Sequence, residues 1–143
     1  MAVSETKIDC SYPDSQFLIP GYYLHQNDQK KGGGGVLLFV SSKILSKRVT
    51  FNRSYKTIEP LALEFGLKSR NAIILVIYRL PKKLNWYIQT STRGGIKSCY
   101  QQTGLARRQH PRVIITGDLN LNRVEPGSPE GKLLLDLEVE QGL

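Results

Sequence analysis

Four side chains in the 143-residue sequence stand where chemistry could be done: Glu5, Tyr78, Asp118 and Asn120. Asp118 and Asn120 lie just past the apolar run Val113-Ile114-Ile115-Thr116, two residues apart. A locally extended backbone would send both to the same side. Tyr78 ends the run Ile73–Ile77, and Glu5 follows the stub Ala2-Val3. Phosphodiester hydrolysis needs a Lewis acid on the phosphate oxygens, a carboxylate to orient or deprotonate water, and neutral donors around the transition state. Carboxylates, an amide and a phenol at strand ends supply these, and strand ends are where open α/β sheets place their active sites. Each residue also has an ordinary reading. Glu5 suits a surface charge, Tyr78 a core aromatic, and Asp118 and Asn120 are turn formers.

The elements that must position these groups follow from hydrophobic patterning. Val36–Val40 is continuously apolar, as a strand covered on both faces would be. Leu61, Leu63, Phe65 and Leu67 alternate with Ala62, Glu64 and Gly66, which predicts a strand with one more polar face. The β-branched run 71–78 reads as its antiparallel partner across a turn at Lys68-Ser69-Arg70, and Val113–Thr116 as a short buried strand. The first thirty residues, punctuated by Pro13-Asp14-Ser15, Pro20-Gly21 and Asn27-Asp28, read as loop-rich. Ser128 caps a helix with Pro129 at its first position, Leu133, Leu134 and Leu137 on one face, and Gly142 closing it. Residues 84–111 carry Trp86, Ile96 and Tyr100 without helical or strand period and read as irregular. The Gly32–Gly35 run leads into a strand, not a helix, and lacks a following Lys-Ser/Thr, so it reads as a turn and not a phosphate cradle. His25 and His110 have neither metal-ligand nor triad spacing.

Composition sets wider bounds. The length suits one domain with a real core. No apolar run approaches the roughly 18 residues that span a bilayer, so no membrane partner is expected. Cys10 and Cys99 have no metal-ligand spacing and read as reduced thiols of an intracellular protein. The net charge of +8 is concentrated mid-chain: residues 36–83 hold ten Lys/Arg against two Asp/Glu. Such a surplus suits a phosphate polyanion or a plain solvated surface.

The stub Ser4-Glu5-Thr6-Lys7, the Gly32–Gly35 run before Val36–Val40, Ile77-Tyr78-Arg79-Leu80-Pro81 and Gly117-Asp118-Leu119-Asn120 occur in the order and spacing of the endonuclease/exonuclease/phosphatase superfamily. With Phe17-Leu18-Ile19-Pro20-Gly21-Tyr22 and Leu133–Leu137, the chain resembles the apurinic-type endonuclease domains of non-LTR retrotransposons, over most of residues 1–83 and 112–143. The resemblance implies an α/β fold, a two-sheet β-sandwich flanked by helices in four DNase I-like layers. It implies Glu5 as a ligand of Mg²⁺ (or Mn²⁺), Tyr78 as a contact of the scissile phosphate, Asp118 as the group that orients or deprotonates water, and Asn120 as a donor to the phosphoryl oxygen. The activity implied is nicking of DNA in the nucleus, with a reverse transcriptase in the full-length parent. The family's asparagine-bearing first strand and its Ser-Asp-His element have no counterpart here, so the expectation is a partial domain over 1–143, truncated at both ends. Residues 84–111 would then be an inserted or frameshifted segment. The alternatives are a non-catalytic nucleic-acid-binding remnant, and a phosphatase or phosphodiesterase of the same superfamily.

Overall fold

The computed structural model describes residues 1–8, 11–27, 34–66, 71–81, 86–105, 112–121, 124–125 and 127–141. Cys10, Gly32 and Gly33, the turn expected at 68–70, the segment with Arg107, Arg108 and His110, and Gly142 lie outside them.

Among the described residues, seven strands form two sheets. The smaller has β1 (Ala2–Ser4), β3 (Val36–Ser41) and β2 (Tyr22–Asn27) in the order β1-β3-β2, all antiparallel. The larger has β4 (Ser46–Val49), β5 (Ile58–Gly66), β6 (Asn71–Arg79) and β7 (Arg112–Asp118) in that order. Its first three strands are antiparallel, and β7 runs parallel to β6. The parallel crossover between β6 and β7 carries α1 (Trp86–Leu105), and α2 (Pro129–Gln141) follows β7.

The alternation within β5 and β6 divides the core in two. Ile58, Ala62, Ile73, Leu75 and Ile77 point one way, onto Ile96 and Cys99 of α1 and Leu133 and Leu137 of α2. Leu61, Leu63, Phe65, Val76 and Tyr78 point the other way, onto Val36, Leu38 and Val40 of β3. Each fully buried aliphatic side chain contributes about 1.5–3 kcal/mol. The larger sheet is therefore a middle layer, and this corrects the expectation of a more polar face on β5: Ala62 and Glu64 are buried too. Glu64 is tolerated there because it accepts a hydrogen bond from Asn71 Nδ2 at 2.8 Å.

The expected hairpin forms, with Gly66 opposite Asn71, and Val36–Val40 is buried throughout. Ser128 caps α2 through Oγ, which accepts from Gly131 N at 3.0 Å. Three expectations are corrected. The loop-rich start contains β2, paired with β3 along its whole length. Its sequence hides it because an edge strand with exposed Tyr22 and Tyr23 has no need of apolar alternation. Val113–Thr116 is not fully buried: among the described residues β7 pairs only with β6, and Ile114 is 54% exposed.

Within 84–111, residues 86–105 form the twenty-residue α1. Its buried face is Thr92, Ile96, Cys99 and Thr103, at helical spacing but made mostly of small and hydroxyl-bearing residues. Gly95 explains the composition: a Cβ there would sit 3.0 Å from Ile58 Cδ1, so the helix packs backbone-close against β5. The polar side is tied to the 51–57 loop, with Asn52 N donating to Gln102 Oε1 at 2.9 Å and Gln102 Nε2 donating to Tyr55 Oη at 3.0 Å. Burial pushes the Cys99 thiol up to about 11, which leaves it an unreactive core side chain.

Candidate active site

One end of the larger sheet carries three polar side chains in a row. Tyr78 on β6 is the register partner of Glu59 on β5 and of Asp118 on β7. Directly opposed residues project from the same face, so all three point toward the smaller sheet. Two glycines just before β3 meet them there. A Cβ on Gly34 would overlap the Tyr78 ring and press on Glu59 Oε2, so only glycine lets the chain lie on the phenol. Gly35, at φ +89°, donates its N–H to Glu59 Oε2 in a short hydrogen bond. The glycine run expected to be a simple turn is, over Gly34 and Gly35, the floor of this site.

Tyr78 is 2% exposed. Burial raises its pKa, the carboxylates of Glu5, Glu59 and Asp118 raise it further, and a hydrogen bond with Asn120 partly offsets them. At neutral pH it is a protonated hydroxyl, a donor. Burial also raises the pKa of Glu59, against the hydrogen bond from Gly35, and Glu59 Oε1 is buried with no hydrogen-bond partner among the described residues.

Past β7 the chain turns sharply. Asp118 Oδ1 accepts from Asn120 N at 2.8 Å, an Asx-type turn, and Asn120 sits at φ 46°, a region asparagine tolerates. Arg79 locks that turn reciprocally. Its Nη1 donates to Asn120 O at 2.9 Å and Leu119 O at 3.4 Å, while Asn120 Nδ2 donates to the Arg79 carbonyl at 2.7 Å. Arg79 is 1% exposed, and burial lowers its pKa while Glu130, in the first turn of α2, favours its charge. Turn former and site residue are thus compatible descriptions of Asp118 and Asn120.

Glu5 arrives from the other sheet. The segment after β1 is pinned to the glycines, with Lys7 N donating to Gly34 O at 2.6 Å and Thr6 Oγ1 to the same oxygen at 3.3 Å. Glu5 lies near enough to Tyr78 to act on its ionisation. Its carboxylate is 45% exposed and pairs with Lys7 Nζ at 3.4 Å, a weak contact at that exposure. Among the described residues no group of three His, Cys, Asp or Glu converges as a closed metal cage. Mg²⁺ does not require one, because it is held by one or two carboxylates, water and substrate phosphate oxygens. An exposed carboxylate beside the row fits that donor set.

All four residues singled out from sequence are therefore brought to one end of the sandwich. Arg79 and Glu59 were overlooked as site residues. Glu59 had a signal: one of two charges in an otherwise apolar strand, it falls opposite Tyr78 when equal steps are counted outward from the hairpin turn.

No protein-family model matches the chain, and no curated protein matches it either. Solved structures do. The endonuclease domain of TRAS1, a telomere-specific non-LTR retrotransposon, superposes with a TM-score of 0.60 at 16% identity, over 87% of this chain and 54% of that one. Truncated Caenorhabditis elegans TDP2 gives 0.57 at 16% identity, over 87% and 50%. D. rerio TDP2 complexed with single strand DNA product gives 0.52 at 15% identity, over 91% and 52%. The chain shares the fold of these structures, an α/β sandwich of two sheets with helices packed outside. The chain spans about half the length of these structures. Within this shared fold the Glu59–Tyr78–Asp118 row lies across three adjacent strands, between the glycine floor and the Asn120 turn.

Proposed function

We propose that this chain is the part of a divalent-metal-dependent phosphodiesterase that hydrolyses DNA, nicking one strand as retrotransposon-type endonucleases do. The observation that carries the reading is the convergence of Tyr78, Asp118 and Asn120 on the paired ends of β6 and β7, with Glu5 facing them from β1. The fold likeness to a retrotransposon endonuclease domain and to a protein complexed with a single strand DNA product supports DNA as the substrate.

Mg²⁺ or Mn²⁺, held by Glu5, would supply Lewis-acid charge neutralisation at the phosphate. Tyr78, kept protonated by its surroundings, donates its hydroxyl proton to a phosphate oxygen. Asn120, whose amide is oriented by the Arg79 carbonyl and the Tyr78 hydroxyl, turns its second Nδ2 proton from the phenol oxygen to the same phosphoryl group. Asp118, with Oδ1 in the turn, has Oδ2 to orient or deprotonate the attacking water. These donors are fixed before substrate arrives, which is what makes them effective. Such an enzyme would act inside the cell, in the nucleus.

The test is nicking of supercoiled plasmid in Mg²⁺. The reading expects relaxed circles from the wild type, and none from Asp118→Ala or in excess chelator. Nicking that survives either would overturn it. The mid-chain charge favours a second reading, a non-catalytic nucleic-acid-binding module, which predicts salt-dependent binding and no nicking.

A further inference from the structure

Beside the row, at the same end of the sandwich, lies a cleft of about 340 Å³ that the hydrolytic reading does not use. Arg48 and Arg53 line it, with Asn27, Phe51, Tyr55 and Glu59. Both guanidinium groups are already oriented by the protein. Arg48 Nη1 donates to Gln26 O at 2.9 Å and Nη2 to Asn27 Oδ1 at 3.4 Å. Arg53 Nη2 donates to Gly94 O at 3.3 Å, and its guanidinium lies over the Tyr55 ring at 5.3 Å. A guanidinium has five donors, so these bonds leave several on each arginine for a ligand. Pre-oriented forks lose less freedom on binding than mobile lysines and match the paired oxygens of a phosphate.

The cleft is tied to the site by short links. Asn27, which holds Arg48, donates through Nδ2 to Pro60 O at 3.1 Å. Pro60 is paired with Ile77, one residue before Tyr78, and the next lining residue, Glu59, is paired with Tyr78 itself. Arg48 pairs with Leu63, and Leu63 with Ile74, so Arg48 lies two strand spacings across and four residues along from Tyr78, roughly 16 Å between backbones. One strand of a duplex advances about five nucleotides over that distance, at roughly 3.4 Å each. One oxygen of the carboxyl in the cleft, Glu59 Oε2, is taken up by the Gly35 N–H. Phe51 and Tyr55, packed edge to face at 6.0 Å, form an aromatic wall on which a nucleoside can rest.

We infer that the Arg48–Arg53 cleft binds a backbone phosphate of the nucleic-acid strand, a few nucleotides from the phosphate presented to Tyr78 and Asp118. The inference rests on the proposed function for its register with the site, but binding is measured without turnover. The experiment is fluorescence anisotropy of single-stranded and duplex oligonucleotides with the whole chain, in chelator, across a salt series, with plasmid nicking in Mg²⁺ run alongside. Arg48→Ala and Arg53→Ala should each weaken binding about tenfold, the loss of a charge-assisted hydrogen bond, and lower the salt slope by about one. Arg48→Lys and Arg53→Lys keep the charge and should retain the slope while losing part of the affinity. Arg112→Ala, an exposed charge at the opposite end of β7, should bind as wild type.

Tighter binding of single strands than of duplex would assign the cleft to an unpaired strand, and equal binding to a strand held in a duplex. Wild-type affinity and slope in both alanine variants would overturn the inference and leave the hydrolytic reading standing. Variants that lose binding in a chain that never nicks would overturn the hydrolytic reading and leave the cleft. Weaker binding that Arg112→Ala reproduces equally would show diffuse charge and overturn the cleft.

Discussion

Gly34→Ala tests the geometry of the site more sharply than any substitution of a reacting group. Gly34 is outside the left-handed region, so its backbone suits alanine. Were the space open, the substitution would stabilise the protein by about 0.4–1 kcal/mol through the unfolded chain. The space is not open: the added methyl would fall on the Tyr78 ring and 3.0 Å from Glu59 Oε2. Neither neighbour can yield easily, because each is 2% exposed, the ring packs in the inter-sheet core, and Glu59 holds the Gly35 N–H. Over-packing of this kind costs about 1–3 kcal/mol. The expected sign is therefore destabilising, by roughly 2 kcal/mol in urea unfolding with an unchanged m value. Tyr78→Val removes the ring atoms that the methyl meets and alone should cost about 2–4 kcal/mol. In that background Gly34→Ala should cost less than about 0.5 kcal/mol, a coupling of roughly 1.5 kcal/mol. Additive costs, or a stabilising Gly34→Ala, would refute the placement of the phenol on the glycine floor.

Other expectations concern the same framework. Tyr78→Phe should fold normally yet lower kcat about 10²–10³-fold, as loss of one transition-state donor does, with KM for plasmid little changed. Arg79→Lys cannot span the Leu119 and Asn120 carbonyls as the guanidinium does; nicking should fall in kcat while oligonucleotide affinity holds, and equal loss of both would contradict a positioning role. Glu59 keeps its proton to higher pH when folded than when unfolded, so its contribution is full below the ordinary carboxylate range and is lost as pH rises through the raised value. Glu59→Gln should remove that slope and exceed wild-type stability at neutral pH, as thermal unfolding from pH 4 to 8 would show. On α1, Gly94→Ala, with nothing within 4 Å of the new methyl, should raise stability by about 0.5–1 kcal/mol. Gly95→Val, driven into Ile58, should lower it by about 1–3 kcal/mol.

The sequence by itself determined the parts whose physics is local. The β5–β6 hairpin, the buried run of β3 and the Ser128–Pro129 start of α2 were legible because period, apolar continuity and capping chemistry are written in consecutive residues. The four polar residues at strand ends were legible for the same reason, helped by the family resemblance. Only the tertiary structure decided the rest. β2 pairs as an edge strand whose solvent side carries no pattern, and α1 buries a face of Thr, Gly and Cys that fits because Gly95 lets the backbone approach Ile58. The roles of Gly34, Glu59 and Arg79 follow from what lies across the sandwich or the strand pair: the Tyr78 ring, the Gly35 N–H, and the Leu119 and Asn120 carbonyls. A residue's neighbours in the chain constrain its backbone, but which atoms fill the space beside its side chain is settled by packing between segments far apart in sequence, and the site was built from such contacts.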